Sequence, residues 1–272
     1  MKMYFDIYST SRWIFASLLF LIPAANAQER NAGALTTYST QVVPLVIVGE
    51  GWSQRIVIQN VDSDTPAIGT LSFYTKDGDP WQVTLRDKGT ESVFLLNLSP
   101  GQTAIFETVV SDAPQTLGWG LVDLTTQGLG DIFGQVVFRK SAEGRPDFMT
   151  SHVLGKQGFR STTTFFDNTS GNYTGMAILT SETCNYSFCQ DETNELIVTV
   201  SDLDGNVITR KTITQGYGML YWMNLGLDFP ETNGRIGTFN VRVKESYSIN
   251  LSAFSLQFAG NGAFTAITPF ED

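Results

Sequence analysis

The sequence predicts an all-β protein built from two similar antiparallel β-sandwich domains, and three observations carry that expectation. Apolar and polar residues alternate with period two along most of the chain, with no sustained helical stripe. Gly, Asn, Asp or Pro interrupts the alternation about every eight to twelve residues, the spacing of sandwich and barrel turns. The order of the strand-like segments also recurs, once in each half of the chain.

The individual strands follow from the alternation. In "TFNVRV", Phe239, Val241 and Val243 share one face while Thr238, Asn240 and Arg242 share the other. "NELIVTV" repeats the pattern through Leu196, Val198 and Val200, and "QTAIFET" more loosely through Ala104 and Phe106. The recurrence pairs "GWSQRIVIQN" with "GNYTGMAILT", and "GTLSFYTKDGDPWQVTL" with "ELIVTVSDLDGNVITRKTI". It continues with "SPGQTAIFE" and "TQGYGMLYW", "LGWGLVDL" and "IGTFNVRV", "IFGQVVFRK" and "LSAFSLQFA". The expected organisation is a leader over 1–27, a segment over 28–40, a first sandwich over 41–154 and a second over 158–272. Immunoglobulin-like and jelly-roll connectivity both fit, because the sequence does not show which strands pair.

The leader has the form of a secretory signal peptide. Lys2 and Arg12 precede the apolar run "WIFASLLFLIP", and Ala25 and Ala27 offer small residues for cleavage. The run is too short to span a membrane, and no second run of spanning length follows. Export is therefore expected, to the periplasm, the cell surface or the medium. The formal charge is −10, and removing a leader with two positive charges and one negative makes it −11. That balance disfavours nucleic acid and anionic membranes as partners.

The two cysteines, Cys184 and Cys189, enclose four residues in "CNYSFC". In an exported chain this spacing reads as a disulfide, with two free thiols as the alternative. So small a ring would contribute about 2 kcal/mol and pin one loop.

"VTVSDLDGNVITRKT" holds Asp202, Asp204 and Asn206 at alternate positions around Gly205, as in a calcium loop. An EF-hand loop needs a glutamate six residues after the glycine; Lys211 stands there and Thr212 follows it, so neither supplies the ligand. The counterpart "TKDGDP" keeps Asp77 and Gly78 but has Thr75 where Asp202 would be. A hairpin turn is the expectation, with a weak calcium site at Asp202, Asp204 and Asn206 as the alternative.

Catalytic motifs are missing. The single histidine, His152, falls in the expected interdomain connection and reads as an exposed linker residue. With the cysteines paired, no ordinary zinc site can be assembled, and no phosphate loop or dinucleotide fingerprint occurs. No cofactor is expected. Asp62, Asp64, Asp79, Asp123, Asp131, Asp191 and Glu192 are available for carboxylate chemistry, but most sit in turn-like composition. Tyr217, Tyr221 and Trp222, with Trp52, Tyr74 and Trp81, could form a sugar-stacking platform. Strand aromatics more often fill cores, and Trp52 and Trp119 in particular read as core. Sequons at Asn97, Asn168, Asn172, Asn185 and Asn250 matter only in a host that glycosylates them.

Two stretches carry a resemblance. Gly51, Trp52, Ser53, Arg55, Ile56, Val57 and Asn60 form one motif; Phe258, Gly262, Ala263, Phe264, Thr265, Ile267 and Pro269 form the other. Together they resemble uncharacterised bacterial exported β-repeat proteins with GW[ST]xRIVxxN and FxxxGAFTxIP motifs. The resemblance spans most of 41–272, departs at the cysteine-bearing "ETCNYSFCQDE", and implies architecture and export only. The expected function is that of an exported non-catalytic protein in surface attachment, matrix or protein–protein contact. A glycan-binding module is the alternative, and a carboxylate-dependent glycoside hydrolase a third.

Overall fold

The computed structural model describes residues 36–271, apart from 128–130, 142, 145, 156–158, 183–192 and 245–248. The leader, the cysteine loop, Asp191 and Glu192 therefore lie outside the described residues. Ten strands make the first half: β1 (Thr36–Val48), β2 (Trp52–Asn60), β3 (Ala67–Thr75), β4 (Val83–Leu85), β5 (Gly89–Glu91), β6 (Val93–Leu98), β7 (Thr103–Glu107), β8 (Thr116–Gln127), β9 (Ile132–Lys140) and β10 (Phe148–Val153). They form two four-stranded antiparallel sheets, β1-β8-β3-β6 and β10-β9-β2-β7, with β4 and β5 as a small separate hairpin.

The second half continues with β11 (Ser161–Asp167), β12 (Tyr173–Glu182), β13 (Thr193–Asp202), β14 (Val207–Gly216) and β15 (Leu220–Asn224). One helical turn, α1 (Leu225–Asp228), precedes β16 (Ile236–Val243), β17 (Ile249–Phe258), β18 (Phe264–Ile267) and β19 (Phe270–Glu271). Its sheets run β14-β13-β16-β11-β19 and β15-β12-β17-β18. The protein is all-β, a pair of antiparallel sandwiches. Among the described residues no helix is long and apolar enough to cross a membrane.

The alternation seen in the sequence becomes the two faces of each sheet. In β6, Phe94, Leu96 and Leu98 are buried while Val93, Leu95 and Asn97 are exposed. In β13 and β16, Leu196, Val198, Val200, Phe239 and Val241 all point into the second core. Strand order also matches between the halves. Reading β1-β8-β3-β6 against β11-β16-β13-β14, and β10-β9-β2-β7 against β18-β17-β12-β15, the sequence pairs β2/β12, β3/β13, β7/β15, β8/β16 and β9/β17 take matching places. In contrast β4, paired in the sequence with β14, leaves for a separate hairpin with β5, and β6 holds the position of β14.

Pairing distinguishes the connectivities that the sequence left open. β2 lies beside β7 and β3 beside β8, which are the B–E and C–F neighbours of an immunoglobulin sandwich. The terminal strands are exchanged: β1 adds to the β8 edge, and β9 adds to β2. To reach that edge β1 passes Pro44, and its register shifts between Val43 and Val46. Buried Gln54 on β2 satisfies the backbone freed there, accepting from the Ile47 N–H at 3.1 Å and donating to the Leu45 carbonyl at 3.1 Å.

Every strand ladder closes within 36–153 or within 161–271, yet the apolar core does not divide there. The sheet β15-β12-β17-β18 is buried on both faces. Met176, Ile178, Met223, Leu251 and Ala253 turn inward to their own sandwich. Ala177, Leu179, Leu220, Phe254, Leu256 and Phe258 turn outward and join the core of the first sandwich. Phe254 stacks on Phe138 at 4.7 Å between centroids, and Trp52 meets Phe264 at 4.8 Å. β1 is buried on both faces from Val42 to Ile47. Residues 34–272 accordingly form one compact unit.

Candidate functional site

At the loop between β13 and β14, the Asp202 carboxylate is engaged by its own turn. Its Oδ1 accepts the N–H groups of Asp204 at 3.0 Å and Asn206 at 2.8 Å, and its Oδ2 accepts from Asn206 Nδ2 at 3.1 Å. These bonds, the Asn206 side chain first, hold its pKa below the usual carboxylate value. Gly205 sits at φ +84°, the left-handed conformation that glycine adopts freely. The loop after β3 is built the same way, with the Thr75 hydroxyl accepting the Asp79 N–H at 3.2 Å and Gly78 at φ +93°. In both loops the glycine N–H donates to the carbonyl three residues earlier, from Gly78 to Thr75 and from Gly205 to Asp202, each at 3.1 Å. This is a hairpin bend. Asp202→Ala is expected to lower the thermal midpoint and Asp202→Asn to retain most of it, since an amide oxygen can still accept both N–H groups. Equal losses in the two variants would show that charge, not turn geometry, is what Asp202 supplies.

The aromatic candidates are separated by the pleat. Tyr221 and Trp222 are neighbours on β15 and so point to opposite faces. Tyr221 packs against the second core, and Trp222 against the shared one. Trp222 lies flat enough over β12 that a Cβ added at Gly175 would stand 2.4 Å from its ring. Tyr217 is half-buried in the preceding turn. Trp52 and Trp119 are core residues, as expected, with Tyr74 stacked on Trp119 at 4.3 Å.

His152 corrects the sequence reading. It belongs to β10 and not to a linker, pairs with Val136 and is only 8 % exposed. Its ring lies 4.9 Å from Phe254 of the second sandwich, and burial pushes its pKa down to about 4. Spacing could not reveal this, because a lone histidine at the end of a strand reads the same on either face.

Among the carboxylates, Asp62 accepts the N–H groups of Asp64 at 2.7 Å and Thr65 at 2.9 Å, which lowers its pKa. Asp167 is lowered chiefly by the Thr169 hydroxyl. A glycosidase acid needs the opposite shift. Of the sequons, Asn168 is buried, donating to the Thr232 hydroxyl at 2.7 Å and accepting from the Thr174 N–H at 3.0 Å.

The outer face of β10-β9-β2-β7 is where chemistry gathers, and the sequence had singled out none of its residues as a site. Ile105, Phe133, Met149 and Val153 are exposed there at 51, 39, 60 and 54 %. Beside them a cleft of about 240 Å³ is lined by Ser53, Arg55, Glu107, Val137, Arg139 and Met149. Arg55 reaches Glu107 Oε2 through Nε at 3.2 Å and Nη2 at 3.0 Å, and Arg86 takes the other oxygen at 3.3 Å. Arg139 Nε donates to Asp147 at 2.6 Å. One charge on β2, one on β7 and Arg139 near the end of β9 look like ordinary solvated side chains until pairing places them on one face. No protein-family model, curated protein or solved structure matches the chain.

Proposed function

We propose that this is an exported, non-catalytic β-sandwich protein that works by contact with another protein, in surface attachment or a matrix. The observation that carries the reading is the outer face of β10-β9-β2-β7, where apolar side chains and paired arginines share one surface. Apolar groups with arginine among them are the usual composition of a protein contact; the outer face of β1-β8-β3-β6 also exposes Tyr38, Ile68, Val93 and Leu95, but its strands hold no arginine. The leader over 1–27 supports export, and with it a disulfide between Cys184 and Cys189. The matched strand order and the shared hairpin geometry support descent from a duplicated unit of the exported β-repeat type.

A pull-down with the mature chain from the envelope fraction is expected to recover a specific partner. Met149→Asp and Val153→Asp, at exposed positions on this face, should abolish recovery without unfolding the chain. Undiminished capture by the charged variants would remove this face from the reading, and no partner at all would remove the reading itself. A glycan array tests the alternative: binding lost in Trp222→Ala with the fold retained would favour a sugar.

A further inference from the structure

Arg55 stands opposite Val137 and Ser53 opposite Arg139 in the β2–β9 ladder. The two arginines are thus diagonal neighbours on one face, a spacing of about 7–8 Å with the Cβ atoms somewhat closer. Each guanidinium is gripped along its Nε–Nη2 side, Arg55 by Glu107 and Arg139 by Asp147. The Nη1 groups take no part in those pairs, and the side chains remain 49 and 43 % exposed. Carboxylates that fix the forks prepare them for a further acceptor, since a planar guanidinium offers five donors in fixed directions.

Charge selects among acceptors. Among the described residues in these pairs, Arg55, Arg86 and Arg139 face Glu107 and Asp147, so three cations against two anions leave one positive charge. That suits a monoanion better than a phosphate dianion, and it stands out on a chain of net charge −10. The wall is apolar, formed by Val137 and the exposed Met149, and among the described residues no aromatic ring lines the cleft. A sugar would want an aromatic face to stack on; an aliphatic side chain would not. At about 240 Å³ the cleft is smaller than one that engulfs a whole drug-sized ligand, so it fits the end group of a longer molecule.

We propose that this cleft binds the free C-terminal carboxylate of a partner polypeptide whose last side chain is aliphatic. The carboxylate lies between Arg55 and Arg139, and the side chain packs on Val137 and Met149. Capture of a terminal carboxylate is a recurring recognition mode. The inference rests on the protein-contact reading above and names what that contact reads.

The test is fluorescence anisotropy with a dye-labelled Gly/Ser hexapeptide ending in leucine, offered as the free acid and as the C-terminal amide. The acid is expected to bind at least about tenfold more tightly than the amide, because only the acid carries the charge. With melting curves close to that of the parent, Arg139→Gln should weaken the acid severalfold and leave the amide unchanged, whereas Met149→Ser should weaken both by a similar factor, because both carry the leucine side chain. Equal binding of acid and amide, or no binding of either to folded protein, overturns the assignment. So does tighter binding of an oligogalacturonate than of the peptide. An Arg55→Gln/Arg139→Gln variant that still recovers the partner in the pull-down overturns the carboxylate site and leaves the protein-contact reading standing. An empty pull-down beside acid-selective peptide binding does the reverse.

Discussion

Phe254→Ala is expected to destabilise the chain by about 3–5 kcal/mol, the usual range for removing a buried phenylalanine. The residue is fully buried, stacks on Phe138 at an interplanar angle of 11° and touches His152, although it belongs to the second sandwich and they belong to the first. The cavity would therefore open where the two halves share their core, and β-sheet backbone on both sides would resist collapsing into it. Against a total stability of order 5–15 kcal/mol, that loss should move the urea midpoint strongly. Phe254→Leu should lose much less. The same packing predicts that residues 34–154 expressed alone lack a cooperative transition, because Trp52, Phe138 and the buried face of β1 would then meet water. A Phe254→Ala variant within about 1 kcal/mol of the parent, or a separately folding first half, would falsify the shared core.

The second large effect is with acid. In the folded chain burial alone holds the His152 imidazole neutral down to about pH 4, whereas the unfolded chain titrates it at its ordinary 6.5. Between those values the unfolded state binds the extra proton, so lowering the pH favours unfolding. Stability should be complete above pH 6.5 and fall as the pH approaches 4. At about 1.4 kcal/mol per pKa unit the loss is roughly 3 kcal/mol. Nδ1 is buried with no hydrogen-bond partner among the described residues, so nothing there steadies the cation. Asp62, Asp167 and Asp202 have depressed pKa values, and their stabilisation is present above the ordinary carboxylate value and lost only as the pH falls through their lower folded values. Urea unfolding of the parent and of His152→Leu between pH 4.5 and 7.5 separates the two causes. The variant should be nearly flat across that window; a parallel decline in both proteins would remove His152 as the cause.

Much of the fold was legible because strand faces are written in period two. Phe239 and Val241, or Leu196 and Val198, could be placed inside from spacing alone, since a strand with one buried face has no other arrangement. The hairpins were legible for a local reason: Asp202 and Gly205 meet the turn's hydrogen-bonding and φ requirements within five residues. Trp222 and Tyr221 were harder. Their adjacency suggested a platform, but adjacency on a strand separates side chains across the sheet. Gln54 carries no local signal of its role, because only the detour of β1 past Pro44 gives it two backbone groups to satisfy.

The sequence by itself determined that the chain is all-β, where its two Asp-Gly bends fall, and which residues of β7, β13 and β16 face inward, because those properties depend on neighbours a few positions apart. Only the tertiary structure decided that the outward face of β15-β12-β17-β18 is also buried, that His152 lies in the seam between the sandwiches, and that Arg55 and Arg139 line one cleft. Each of those depends on which strands pair and which sheets meet. Residues far apart in sequence are brought together by burying apolar area, a force without direction that leaves no local signature in the order of the residues.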